Sequence, residues 1–272
     1  MLKRCLTAII GLPIVIAIIL FANKYVVDVI VAILAVSAIY EYMKCVKHKF
    51  KPVMWIGFVI ATMIAFIHVI PYNYLIMYVP LGILTVLAIL FMHVVFTDMK
   101  INAADIAITL FGIIYIVGFF AFVALLNGYE ENGIRLGKYY IWYLFLATWG
   151  CDVFAYLIGY KFGKHKFSKI SPKKTVEGCL AGTISGVVLV LIATVIFNQS
   201  FDLQINYLVI GIIGLVINLL GQIGDFSASC IKRYSEVKDF SNLLPGHGGI
   251  IDRFDSVIFA APFAYYLLTL LI

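Results

Sequence analysis

Charge is what this 272-residue chain has least of: Asp, Glu, Lys and Arg make up only 12% of it, whereas 64% is hydrophobic. With a mean hydropathy of +1.06, the composition excludes an ordinary water-soluble domain and requires backbone polar groups to be satisfied inside lipid. Strict alternation of apolar and polar residues is also missing, which excludes a membrane β-barrel. The five cysteines, Cys5, Cys45, Cys151, Cys179 and Cys230, form no CxxC pair and no metal-ligand spacing. Their expected role is small apolar packing without disulfides. There is no long linker, no low-complexity segment and no G-x-x-x-x-G-K-[ST] loop, so an ATPase has no support. Lys3 and Arg4 ahead of an apolar run resemble a signal peptide, but no small-x-small cleavage site follows. That run is therefore expected to be a first helix.

What is present is a succession of long apolar runs. They predict nine helices at about 5–22, 25–43, 53–70, 74–96, 106–126, 139–160, 179–197, 205–231 and 253–271, hence an all-α, polytopic integral membrane protein. With the N-terminus in the cytoplasm, all of the 20 lysines and arginines except Lys24, Arg135 and Lys138 fall on the cytoplasmic side. The positive-inside rule selects this orientation and leaves the C-terminus outside a cytoplasmic membrane. The net charge of +6 then belongs to the cytoplasmic face, where it suits anionic lipid and nucleotide and gives no reason to invoke nucleic acid. Residues 1–140 contain few intramembrane polar groups and are expected to be scaffold, with His68 and His93 as isolated packed or interfacial side chains. Residues 141–272 are expected to be the catalytic part of one continuous membrane domain. Pro13, Pro80 and Pro262 lie inside apolar runs, as kinks that membrane helices tolerate.

Polar chemistry begins near Trp149. In the sixth run Thr148, Asp152, Tyr156 and Gly159 recur at helical spacing. A carboxylate there costs at least ~2.5 kcal/mol if it faces lipid, so Asp152 should face a cavity or a partner. The next loop carries six lysines between Lys161 and Lys174. Anionic headgroups alone would attract these at ~1 kcal/mol each, but the Ser171-Pro172-Lys173-Lys174-Thr175 turn places two cations between two hydroxyls, as a phosphate site would. In the eighth run Asn218, Gln222, Asp225, Ser229, Lys232 and Glu236 form one stripe at three- and four-residue spacing. Helix–helix contact is the ordinary reading of Asn and Gln in such a stripe, but it explains the Asp, Ser and Lys less well. From Ser229 to Asp255 basic residues and carboxylates alternate around Pro245-Gly246-His247-Gly248-Gly249. Carboxylates can hold a hard divalent cation, basic groups can hold phosphate, and glycines admit close backbone approach. Asp252 and Asp255 also suit the start of a helix, where the dipole favours acids.

These residues resemble the signature of the phosphatidate cytidylyltransferase (CDP-diglyceride synthase) family. That signature is S-x-x-K-R, four residues, K-D, then P-x-H-G-G-x-x-D-R-x-D. It is filled here by Ser229, Lys232, Arg233, Lys238, Asp239, Pro245, His247, Gly248, Gly249, Asp252, Arg253 and Asp255. Gly224-Asp225 precedes it, the family's S-P-K-K-T-x-E-G block is matched from Ser171 to Gly178, and D-x-x-A-Y-x-x-G is matched from Asp152 to Gly159. The resemblance covers roughly Trp149 to Ser256, with only minor departures at Val153, Cys179 and Phe226. It implies synthesis of CDP-diacylglycerol and pyrophosphate from CTP and phosphatidate, at the cytoplasmic face of the C-terminal half. Asp225, Lys232, Asp252 and Arg253 would be catalytic, and Asp225, Asp252 and Asp255 would hold Mg²⁺, with a second cation left open. Asp152, Tyr156, Lys173, Lys174, Ser229, Arg233, Lys238, Asp239, His247, Gly248 and Gly249 would bind substrate.

Two other functions share parts of this pattern. A CTP-dependent lipid-alcohol (polyprenol) kinase would share part of the nucleotide-handling block but release CDP. A transporter would use the polar stripe as its pathway, yet polarity confined to one half and one face is unlike repeated broken helices. The D-G-x-x-A-R motif of CDP-alcohol phosphotransferases is missing. The expected partners are CTP, phosphatidate and membrane lipid, and a homodimer is left open.

Overall fold

The computed structural model describes residues 2–168, 170–201, 203–244, 246 and 248–272, apart from the side chains of residues 2–10, 12, 72, 73, 75 and 76. The regular elements among the described residues are all helices, with isolated bridges in place of strands. Ten α-helices follow in order: α1 Leu2–Phe21, α2 Lys24–Val46, α3 Met54–Met63, α4 Tyr72–Phe96, α5 Ala103–Gly112, α6 Phe119–Gly128, α7 Gly137–Phe162, α8 Val176–Phe201, α9 Tyr207–Tyr234 and α10 Ile251–Leu271. A 3-10 turn, Ile64–Phe66, extends α3, and a π segment, Ile113–Gly118, joins α5 to α6 into one apolar stretch. Among the described residues seven helices are long and apolar enough to cross a membrane. The seventh, eighth and ninth runs of the sequence become α8, α9 and α10, each within a few residues of the expected bounds.

The third run departs from expectation. Instead of a helix to residue 70, the apolar helix Met54–Phe66 stops early and the chain turns. His68 Nδ1 lies there 2.9 Å from both carboxylate oxygens of the buried Asp28 on α2. His68 is mostly buried in this pairing, a packed side chain as the sequence suggested. Pro13, Pro80 and Pro262 lie within helices α1, α4 and α10.

The chain divides into two compact units. One comprises residues 1–125 and 235–251, the other residues 126–234 and 252–272. In the first, α2 is central, with Ala35, Ala38, Ile39, Tyr42 and Met43 fully buried. The Tyr42 ring lies against Gly112 and its hydroxyl donates to the carbonyl of Ile108 at 3.1 Å. The start of α5 is fixed by a capping box between Asn102 and Asp105, and Asp105 also accepts the backbone N–H of Lys51 at 2.7 Å. Such reciprocal caps satisfy the donors that a helix start leaves open. In the second unit, α7 and α8 meet through small residues, a packing that membrane helices favour because it brings backbones close. Gly182 sits against Cys151 and Ala155, and Gly178 against Ala155 and Gly159. Asn218 of α9 inserts between α7 and α8, donating to the carbonyls of Ala147 at 2.9 Å and Gly182 at 3.3 Å.

Candidate active site

Within the second unit, α7, α9, α10 and the loop before α8 bring together Asp152, Lys174, Asp225, Lys232, Asp252, Arg253 and Asp255. Gly224 explains how α9 and α10 come so close. A Cβ added there would lie 2.5 Å from Cβ of Phe259 and 2.6 Å from the carbonyl oxygen of Asp255, so only glycine lets the next residue, Asp225, approach α10. The carboxylates of Asp152, Asp225 and Asp255 lie within electrostatic reach of one another. Asp152 accepts from the hydroxyl of Ser256 at 3.1 Å, and Asp255 accepts from the backbone N–H of Ser256 at 2.8 Å. Trp149 on α7 donates from its indole nitrogen to the carbonyl of Arg253 at 3.2 Å, tying α7 to the first turn of α10.

Two lysines offset this negative charge. Lys174 is ion-paired with Asp225. Burial works against its ammonium, but Asp225, Asp152 and Asp255 outweigh that cost and hold its pKa above the ordinary lysine value. Lys174 is therefore charged throughout the neutral range. Lys232 reaches Asp252 at 2.6 Å, with side-chain exposures of 12% and 3%. The Lys174 ammonium also sits 4.8 Å from the Phe226 ring centre, and Phe167 stacks on the same ring at 4.8 Å. Phe226, an ordinary apolar residue in the sequence, is thus the dock for the lysine loop.

That loop is folded back on itself. Lys166 bridges to Thr175, the N–H of Phe167 donates to the carbonyl of Lys174, and the N–H of Lys174 donates to the carbonyl of Ser171. Glu177 closes it by accepting from the N–H groups of Lys164 and His165 and from the His165 ring at 2.6 Å. The two lysines of the turn consequently differ: Lys174 points into the carboxylates and Lys173 is exposed.

The stripe on α9 splits by depth. Asn218 and Gln222 are helix–helix contacts, Gln222 donating to the Thr183 hydroxyl at 2.8 Å, whereas Asp225 and Lys232 enter the charged cluster. Ser229 is buried. Glu236 is not part of the stripe, since α9 ends at Tyr234 and Glu236 pairs with Lys49 at 3.2 Å in the first unit. Tyr156 is exposed and stacks with Tyr160, so the cluster is built without it. Arg233 donates to the carbonyl of Ile170, and Arg233 and Arg253 are exposed. Lys238 and Asp239 are exposed in the first unit. His247 and Pro245 lie outside the described residues. Gly246 and Gly248 take positive φ, 80° and 84°, in a turn closed by the N–H of Leu244 and the carbonyl of Gly248 at 2.9 Å. Gly249 is buried against the carboxylate of Glu41, so the backbone approach that its lack of a side chain permits is to a protein group.

The donor set suits a hard cation. Among the described residues no three His, Cys, Asp or Glu side chains converge tightly enough to form a metal cage. Mg²⁺ does not need one, since one or two carboxylates with substrate phosphates and water complete its shell. The carboxylates of Asp225 and Asp255 therefore fit it, and Asp152 joins them as a third oxygen donor nearby. Asp225 and Asp252 are each paired with a lysine, Lys174 and Lys232 respectively.

The model of the cytidylyltransferase family matches residues 2–271. A phosphatidate cytidylyltransferase of Bacillus subtilis (strain 168) is 45% identical over 141 residues, 52% of this chain and 51% of that protein, so the chain spans about half the length of that relative. One from Staphylococcus haemolyticus is 36% identical over 182 residues, 66% of this chain and 65% of that protein. One from Staphylococcus aureus (strain COL) is 34% identical over 269 residues, 97% of this chain and 98% of that protein.

Proposed function

The chain belongs to the cytidylyltransferase family, and from that premise we propose that it converts CTP and phosphatidate to CDP-diacylglycerol and pyrophosphate. The observation that carries the reading is the cluster of Asp152, Asp225 and Asp255 with Lys174 and Lys232 on apolar helices. Apolar side chains would have packed these helices at lower cost. The relatives' names favour this transfer over both the lipid-alcohol kinase and the transporter.

The chemistry follows from charge. An oxygen of the phosphatidate phosphate attacks the α-phosphorus of CTP, the bond from that phosphorus to the bridging oxygen breaks, and pyrophosphate leaves with the electron pair. The second pKa of a phosphate monoester is about 6, so the nucleophile is already ionised at neutral pH and needs no general base. The barrier is the approach of one anion to another. Lys174, Lys232, Arg233 and Arg253 neutralise and orient the phosphates, and Lys173, exposed on the turn, captures them. Asp225, Asp252 and Asp255 would hold Mg²⁺, with Asp152 beside them. When bound, the metal neutralises phosphate oxygens and aligns the leaving group. Asp225 and Asp252 are each paired with a lysine, Lys174 and Lys232, and would be available to it once those lysines turn to substrate phosphates, an exchange of one anion for another. Ser229, also on α9, joins the proposed substrate-binding set.

The orientation belongs to the same reading. The N-terminus and the loops bearing Lys161–Lys174 and Arg233–Ile250 face the cytoplasm, where CTP is. Nine membrane-crossing segments in a cell membrane, with the C-terminus outside, satisfy the charge asymmetry. The test is purification in detergent followed by incubation with phosphatidate and CTP labelled at the α-phosphate. A labelled liponucleotide with equimolar pyrophosphate is expected, and label released only as CDP would overturn the reading in favour of the kinase.

A further inference from the structure

Glu41 lies on α2, in the half of the chain whose sequence reads as scaffold, and is 1% exposed. Its Oε1 accepts from the hydroxyl of Ser241 at 2.6 Å and from the N–H of Ile250 at 2.9 Å, and its Oε2 accepts from the N–H of Ile251 at 3.0 Å. Gly249 packs directly on the same group: a Cβ there would lie 2.7 Å from the carboxylate carbon. Ser241 in turn accepts the N–H of Leu243 at 3.1 Å. One carboxylate thus gathers both ends of the segment that runs from Ser241 through the glycine turn to the first residue of α10.

Burying a carboxylate in an apolar helix is costly unless its lone pairs are filled, and here three donors fill them. Two of those donors are N–H groups at the start of α10, where a negative charge is also favoured by the helix dipole. No apolar side chain could hold that turn, and an amide could do so only in part, because its NH₂ would face a donor. The residue after Ile251 is Asp252, followed at one and three residues by Arg253 and Asp255 in the same helix.

We propose that Glu41 is a positioning residue for the reaction: by holding Ser241, Ile250 and Ile251 it sets the place and rotation of the first turn of α10, and so of Asp252, Arg253 and Asp255. The inference rests on the reading that those three residues act on the substrates. Glu41 itself touches neither substrate. Its effect is on alignment, and a misplacement of about 1 Å at a reacting centre can cost on the order of a hundredfold in rate.

The full-length protein in detergent tests this with Glu41→Gln. The expected result is a kcat lowered at least about tenfold, a KM for CTP within about twofold of wild type, and faster hydrogen exchange at the Ile250 and Ile251 amides. A purely structural role would lower the yield of folded protein and leave kcat per folded molecule unchanged. Folded Glu41→Gln with wild-type kcat overturns the proposal, and so does unchanged exchange at those two amides. If Glu41→Gln does not fold, Ser241→Ala removes one of the three hydrogen bonds while Glu41 remains; kcat should then fall about threefold or more at unchanged KM, and a wild-type kcat overturns the proposal. Wild-type protein that makes no liponucleotide defeats the functional reading instead, and the exchange measurement still decides whether Glu41 holds the turn.

Discussion

Lys232 and Asp252 occupy positions that the sequence motif marks as catalytic, and the structure pairs them at 2.6 Å with little exposure. Removing one partner of a buried pair leaves an uncompensated charge and typically costs 3–5 kcal/mol. Asp252→Asn and Lys232→Ala should each lose nearly all liponucleotide synthesis and also melt lower. The double variant should recover much of the melting temperature and none of the activity, because the strain of the lone charge is relieved while the chemistry is not. A double variant that melts as low as the worse single variant would show that the pair is not the source of the instability. Asp225→Asn should abolish activity too. Retention of more than about a tenth of the wild-type rate, an effect under ~1.4 kcal/mol, would remove Asp225 from the metal set. The two loop lysines should separate kinetically. Lys174→Ala should lower kcat, since its ammonium lies among the carboxylates. Lys173→Ala should chiefly raise the KM of one substrate, since the exposed side chain can capture but not align. Steady-state kinetics with CTP and phosphatidate varied separately distinguishes the two, and a reversed pattern would place Lys173 at the reacting phosphorus.

At the scale of elements, the loop before α8 and the glycine turn before α10 share a design: a single carboxylate accepts several backbone N–H groups and fixes a polar segment. Glu177 does this for Lys164 and His165, and Glu41 for Ile250 and Ile251. Opening the first clamp with Glu177→Gln should loosen Lys174 from Asp225 without touching either residue. The expected outcome is a several-fold fall in kcat/KM with a melting temperature within a few degrees of wild type, since the loop lies at the exposed end of its helices. Limited proteolysis provides the physical check: cleavage within Lys164–Lys174 should become faster, and an unchanged rate would mean that Phe167 stacked on Phe226 holds the loop by itself. The lower part of the α9 stripe has another purpose. Asn218 and Gln222 join α9 to α7 and α8 by hydrogen bonds, which in membranes are worth on the order of 0.6 kcal/mol each, so they set register more than they add stability.

For the molecule as a whole the governing quantity is the distribution of cations, and the orientation proposed from it puts the lysine loop and the loop after α9 in the cytoplasm. Single-cysteine variants in intact cells check this. A probe at Ser168 should be protected from an impermeant thiol reagent, and one at Ile272 should react. Reaction at Ser168 from outside would reverse the topology and remove the site from cytosolic CTP.

Composition and hydropathy determined by themselves that this is an all-helical membrane protein, because a chain so poor in charge has no other way to satisfy its backbone. Helical spacing likewise put Asp225 and Lys232 on one side of their helix, and the family resemblance marked Asp252. What spacing cannot encode is which side chains from different elements meet. The pairing of Lys174 with Asp225, the joining of Asp152 to Asp225 and Asp255 and the exposure of Tyr156 all depend on how α7, α9 and α10 pack within their unit, and Glu236 leaves its stripe because α9 ends at Tyr234. Beyond the early end of Met54–Phe66, His68 pairs with Asp28, forty residues away in sequence. Glu41 carried no signal at all, as one acid in an apolar helix. Its partners lie some two hundred residues away in the chain, and only folding brings those donors to its carboxylate.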